Sequence, residues 1–146
     1  MFSEGPVFVR DDFFQLLDLE IKRARRYQNL FGLLRFELLD TGGTDTGGRH
    51  KSLRSLLQLV REEIRETDLV GHTKNNEIMI LLPYCDSIGS EVVYGRLNSL
   101  VRDFHFGNDQ LKVISGYVCF PMEGTDMGEI LNRLTDKSRD AASAAN

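Results

Sequence analysis

Two short clusters of charged residues carry most of the chemistry that this sequence offers. In Arg65-Glu66-Thr67-Asp68 the arginine and the aspartate stand three residues apart at the end of an expected helix, so both side chains can point to one side. An arginine fork grips phosphate oxygens or the O6 and N7 edge of guanine, and a carboxylate accepts from N–H donors. The same spacing equally suits a surface ion pair worth under about 1 kcal/mol. The second cluster joins Arg35 and Glu37, at alternate positions of an expected strand, to Lys74-Asn75-Asn76-Glu77-Ile78, which lies between two apolar segments and reads as a hairpin turn. Asparagine tolerates the left-handed backbone that a tight hairpin requires, so that turn is chemically sensible.

Other candidates are weaker. The glycine-rich stretch from Asp40 to Arg49 does not meet the phosphate-loop pattern, because Gly43 to Gly48 is followed by Arg49-His50 and Lys51-Ser52 comes too late. His50, His72 and His105 are scattered, with no metal-ligand neighbour at helical spacing. Cys85 and Cys119 have no metal-ligand spacing and are too few for a disulfide framework; they read as reduced, buried residues. No metal and no cofactor is expected from the residues alone. The net charge of −4 gives no global pull towards nucleic acid, and Lys22-Arg23-Ala24-Arg25-Arg26 reads as a dipole-matched helix end rather than a nucleic-acid patch. With no run of about 18 apolar residues and no signal-peptide pattern at the start, the expectation is a cytoplasmic chain without membrane contact.

The elements that would position these residues follow from apolar periodicity. Phe13, Phe14, Leu17, Ile21 and Ala24 predict a helix over 11–27, and Phe31 to Leu39 a strand. Leu53, Leu56, Leu57, Val60 and Ile64 predict a second helix over about 52–66. Leu69-Val70 and Ile78 to Leu82 form the hairpin, ended by Pro83. A third helix over about 87–104 would bury Val92, Val93, Leu97, Leu100 and Val101. Leu111 to Phe120 predicts a strand and 127–142 a last helix, with 141–146 frayed. The order α-β-α-β-β-α-β-α, at 146 residues, predicts one domain over 1–146, of α/β (α+β) class, with a mixed sheet and helices packed on it.

In this arrangement the chain resembles the GGDEF domain of diguanylate cyclases along nearly its whole length. The landmarks are Arg65-Glu66-Thr67-Asp68, then Leu69-Val70-Gly71-His72-Thr73, the signature position at Lys74 to Ile78, the apolar Met79-Ile80-Leu81-Leu82 and Pro83. Downstream, Gly116 and Phe120-Pro121-Met122-Glu123-Gly124 resemble the family's Ser-x-Gly strand and Pro-x-x-Gly turn. The resemblance implies a nucleotide-cyclase palm-like fold with a mixed sheet of about five strands and flanking helices. It also implies a reaction that joins two GTP molecules with divalent cations, which need carboxylate oxygens.

Against that pattern the signature is degenerate. Lys74 and Asn75 stand where the family has glycines, Asn76 is neutral where it has an acid, and only Glu77 keeps a carboxylate. Arg35 falls where a metal-binding aspartate should be, leaving Glu37 as the remainder of a lost metal site. A cation inside such a site repels a metal by several kcal/mol unless water screens it. The loop from Asp40 to Lys51 also lacks the family's guanine-reading residues, which disfavours GTP binding. These departures lead to the expectation of a catalytically inactive domain, not an enzyme.

Arg65, Asp68 and Arg96 match the family's inhibitory site for its product, cyclic di-GMP, and Arg61 could add charge. The resemblance thus implies a cyclic di-GMP receptor in bacterial signalling, with a ligand-linked homodimer as a possibility. The alternative is a ligand-free protein–protein interaction module that docks on an active cyclase, a phosphodiesterase or another output partner.

Overall fold

The computed structural model describes residues 6–40, 46–103 and 111–140. The glycine stretch 41–45, His105 and the tail 141–146 lie outside the described residues, as do the side chains at 46–51, His50 included. The elements are β1 (Val7–Val9), α1 (Arg10–Tyr27), β2 (Phe31–Asp40), α2 (Thr46–Glu63), β3 (Leu69–Lys74), β4 (Glu77–Pro83), α3 (Ser87–Asp103), β5 (Leu111–Phe120), α4 (Met127–Lys137) and β6 (Arg139–Asp140). They form one six-stranded sheet in the order β1-β3-β4-β2-β5-β6. β1 runs parallel to β3 and every other pairing is antiparallel, so the sheet is mixed. The expected α/β palm-like fold is therefore what forms, with two short edge strands added to the expected set.

Strand alternation sends residues to two separate cores. Leu34, Phe36, Leu38, Ile78, Ile80 and Leu82 meet Leu53, Leu56 and Val60 of α2 and Leu97 and Val101 of α3 on one face. Phe31, Leu33, Met79, Leu81, Val118 and Phe120 meet Phe13, Leu17, Ile21 and Ala24 of α1 and Ile130 and Leu134 of α4 on the other. Close approach on this second face depends on Gly71, where a Cβ would come within 2.4 Å of the Phe13 ring. Asp11 and Asp12 in the first turn of α1 and Arg25 and Arg26 in its last turn match the helix dipole. Asp126 caps α4 by accepting from the Glu129 N–H at 2.9 Å.

Four expectations are corrected. α2 starts at Thr46 and ends at Glu63, so Arg65 and Asp68 sit on the turn after the helix rather than within it. Val92 is 59% exposed instead of buried; the sheet-facing side of α3 carries Ser90, Leu97, Asn98 and Val101. Of the buried polar groups there, Asn98 is matched, its Oδ1 accepting from Ser115 Oγ at 2.7 Å with the Tyr94 hydroxyl 2.9 Å from the same Ser115 oxygen, whereas Ser90 Oγ has no hydrogen-bond partner among the described residues. Left-handed backbone among the described non-glycine residues occurs at Gln28 and Tyr84, not in the Asn75-Asn76 turn. That hairpin instead accommodates its turn by a register shift between His72 and Lys74. α4 is also shorter than expected, giving way after Lys137 to β6.

Candidate functional site

The hairpin cluster is built on the two central strands. β2 pairs with β4 so that Glu37 lies opposite Glu77 and Arg35 opposite Met79. Alternation then puts Arg35, Glu37 and Glu77 on one face. Arg35 Nε donates to Glu77 Oε2 at 2.7 Å, and Nη2 donates to Glu37 Oε1 at 2.6 Å. Thr73 Oγ1 donates to the other Glu77 oxygen at 2.7 Å. Lys74 Nζ reaches Glu77 Oε2 at 3.9 Å from a mostly exposed position. Glu77 is 1% exposed and Arg35 7%, so the guanidinium is neither solvated nor at an edge.

Asn76 fastens the turn to the neighbouring strand. Its side-chain Nδ2 donates to the Leu38 carbonyl at 2.7 Å, and the Leu38 N–H donates to its carbonyl at 2.8 Å. Asn76 thus extends the β2–β4 ladder by one step beyond the Glu37–Glu77 pair. His72, two residues before the turn, has Nε2 at 3.4 Å from the Asn75 carbonyl oxygen.

A divalent cation does not fit this donor set as it stands. Both oxygens of Glu77 are already engaged, one by a guanidinium and one by a hydroxyl. A metal would have to displace Arg35 from a buried carboxylate or share that carboxylate with it, against direct charge repulsion. Among the described residues, no group of three or more His, Cys, Asp or Glu side chains is placed to hold a metal ion.

The second cluster lies where α2 ends and α3 passes. Asp68 is buried, with 2% of its side chain exposed, and it closes the turn: Oδ2 accepts from the Arg65 main-chain N–H at 2.9 Å, and the Asp68 N–H donates to the Arg65 carbonyl at 3.0 Å. Its Oδ1 accepts from Arg65 Nη2 at 2.8 Å and from Nε at 3.2 Å. The same Nη2 donates to the Pro83 carbonyl at 3.0 Å. The Asp68 hydrogen bond holds the Arg65 guanidinium above its already high ordinary pKa. Arg65 remains 54% exposed despite these contacts.

Arg96 comes to the same end of α2 but takes different partners. Its Nη2 donates to the Glu63 carbonyl at 3.0 Å, and its Nε lies 3.4 Å from Glu63 Oε2, with the arginine side chain 47% exposed. The structure therefore brings both arginines to one helix terminus, where Asp68 engages Arg65 and Glu63 engages Arg96. Glu63 and the Pro83 carbonyl are participants that the sequence did not single out. Glu63 reads only as one more polar helix residue, and a main-chain carbonyl carries no residue-type signal.

The family model described as diguanylate cyclase, GGDEF domain, matches residues 7–144, and the chain belongs to that family. The FimX GGDEF domain of Pseudomonas aeruginosa is similar in structure, with a TM-score of 0.78, 18% identity, and coverage of 99% of this chain and 94% of that one. A DGC protein from Thermotoga maritima gives a TM-score of 0.76 at 15% identity, covering 92% and 97% of the two chains. The GGDEF domain of DgcB from Caulobacter crescentus, solved in complex with c-di-GMP, gives 0.66 at 13% identity, covering 92% and 83%. No curated protein sequence matches the chain.

Family membership corrects one expectation outright. The family is one of diguanylate cyclases, so the assignment of this chain to the non-enzymes does not stand. In the matter of membranes, no helix among the described residues is long and apolar enough to cross one.

Proposed function

We propose that the domain serves cyclic di-GMP signalling as a receptor, binding the dinucleotide at Arg65, Asp68 and Arg96. The observation that carries this reading is the pair of half-exposed guanidiniums anchored at one helix terminus. Each is tethered by a carboxylate and a main-chain carbonyl, so less side-chain entropy is lost when a ligand arrives. Guanidiniums held this way suit both guanine edges and phosphate oxygens. Asp68 orients Arg65 from beneath and supplies carboxylate charge beside it. That a related GGDEF domain has been solved with c-di-GMP supports the choice of ligand.

The same proposal reads Lys74, Asn75, Asn76, Glu77 and Ile78 as a degenerate signature, and Arg35 with Glu37 as a former metal site. Arg35 then supplies to the two glutamates the positive charge that a cation supplies elsewhere in such sites.

Isothermal titration of the nucleotide-free chain with cyclic di-GMP tests the receptor reading, run beside Arg65→Ala and Arg96→Ala. Binding by the parent that weakens at least about ten-fold in each variant is expected. A folded parent that gives no heat up to about 100 μM ligand, a limit of roughly −5.5 kcal/mol, overturns it. Binding that survives both substitutions unchanged overturns the assignment of the site.

A further inference from the structure

The outward face of α3 carries an apolar stripe that the fold does not cover. Ile88 is 71% exposed and Val92 59%. Gly95 follows on the same face, with nothing within 4 Å of where its Cβ would stand, and half-buried Ser99 follows one turn later. The steps of four, three and four residues between these positions are those of the seam of a two-stranded helical coil. The opposite side of the helix holds Ser90, Leu97 and Val101, all buried, so the stripe has no role in this domain's own core.

Two charges flank the stripe, one on each side. Glu91 is exposed on one flank and Arg96 lies on the other, five residues further along. Arg96 is 47% exposed while its Nε and Nη2 contact Glu63 of its own chain, so a second carboxylate would share the guanidinium with Glu63. In two parallel helices related by a two-fold axis along the seam, a residue on one flank meets the opposite flank of its partner about five residues ahead. Glu91 of each copy then faces Arg96 of the other, twice over. An antiparallel pair would bring the two Glu91 side chains to the same flank and give up that match. The pattern is self-complementary in charge and in shape, because the bare Gly95 backbone permits close approach.

We propose that the face of α3 bearing Ile88, Val92, Gly95 and Ser99 is a homodimer interface. Two copies pack it side by side and parallel, with Glu91 of each chain paired to Arg96 of the other. The occupant is a second copy of this chain, and no nucleotide is required. The proposal stands independently of the dinucleotide reading, although Arg96 belongs to both. The seam is only a few helical turns long, below the roughly 1,200–2,000 Å2 of a stable interface, so the dimer is weak and dependent on concentration.

Sedimentation equilibrium of the full chain without nucleotide, from about 5 to 500 μM, provides the test. The expected result is a mass rising from one chain towards two, with Val92→Asp moving the midpoint up by at least about ten-fold at an unchanged melting temperature. Gly95→Glu, whose side chain enters open space, does the same if Val92→Asp perturbs folding. Glu91→Arg and Arg96→Glu each weaken association alone, and an equimolar mixture of the two variants restores it as a heterodimer. Gly95→Cys cross-links to itself under oxidised glutathione beyond the level of the parent chain, which carries only Cys85 and Cys119. A single-chain mass over the whole range, or a dimer indifferent to both Val92→Asp and Gly95→Glu, overturns the interface. A dimer whose Gly95→Cys form does not cross-link overturns the parallel seam.

Discussion

Arg35 and Arg65 are each held by a carboxylate at nearly the same distance, 2.7 Å to Glu77 and 2.8 Å to Asp68. Their surroundings differ sharply. The Arg35 side chain is 8% exposed and its main partner 1%, whereas the Arg65 side chain is 54% exposed. In the hairpin cluster two strands and a threonine hydroxyl close around the pair, and the charges serve one another. At the end of α2 the acid is buried and the base is offered to solvent. The same contact distance thus accompanies two different roles: internal neutralisation in one place and presentation of a cation in the other. Exposure, not distance, separates them.

The largest expected effect breaks the first region. Arg35→Met removes the cation beside a carboxylate that is 1% exposed, and a buried charge left without its partner costs about 3–5 kcal/mol. Urea denaturation at neutral pH reads this as a lowered midpoint. Adding Glu77→Gln to the same chain recovers a large part of the loss, because the stranded charge is then gone. If Arg35→Met alone leaves the midpoint in place, water reaches Glu77 and the contrast between the two regions fails.

Asp68→Ala comes next, at about 1–2 kcal/mol, since it strips both the side-chain lock on Arg65 and the cap on the Arg65 N–H. The proposed dinucleotide affinity falls with it, because Arg65 loses the group that orients it. Arg65→Ala inverts that balance. Truncating a half-exposed guanidinium opens Asp68 to water instead of stranding it, so the cost stays at no more than about 1 kcal/mol, and Asp68 keeps its bond to the main-chain N–H at position 65. Thermal melting of the variant therefore stays close to the parent, while the calorimetric binding of cyclic di-GMP drops. A large fall in melting temperature would place Arg65 with Arg35 as a structural ion pair.

How much of this was legible in the sequence depends on how local each cause is. The helices, the main strands and the hairpin position follow from apolar periods within single segments, and they formed in the expected order, with the ends of α2 and α4 displaced. β1 and β6 did not, because strands of three and two residues show no period and owe their identity to pairing with β3 and β5. The apolar period of α2 continues to Ile64, yet the helix stops at Glu63: just beyond, the Asp68 carboxylate takes the Arg65 N–H into a turn. Val92 and Val93 are equally apolar, but adjacent helix positions cannot both face the sheet, and packing placed Val92 outward. The depth of Arg35 was out of reach for a different reason. A charge on a strand is solvated or buried according to where that strand falls in the sheet, and the central position of β2 is a property of the whole topology.

A third acid gives the smallest effect and the finest test of the rule that exposure and partnership decide a charge's role. Glu20 on α1 has a side chain 5% exposed, close to Glu77, but its partner Arg23 sits at 3.3 Å with 44% exposure, and its Oε2 has no hydrogen-bond partner among the described residues. Burial raises its pKa above the ordinary 4.5, and Arg23 offsets only part of that. The folded state therefore holds the proton more tightly than the unfolded chain. The contribution of Glu20 is most favourable below pH 4.5 and is lost as pH rises through the raised folded value. Glu20→Gln, which has nearly the same shape and no charge, is expected to be more stable than the parent at pH 7 by a few tenths to about 1 kcal/mol. That advantage shrinks as pH falls towards 4.5 and disappears below it, so urea midpoints of both chains measured across this window decide the matter. A difference that does not change with pH would trace the effect to packing. A parent more stable than the variant at pH 7 would mean that Arg23 compensates the buried charge as fully as Arg35 compensates Glu77.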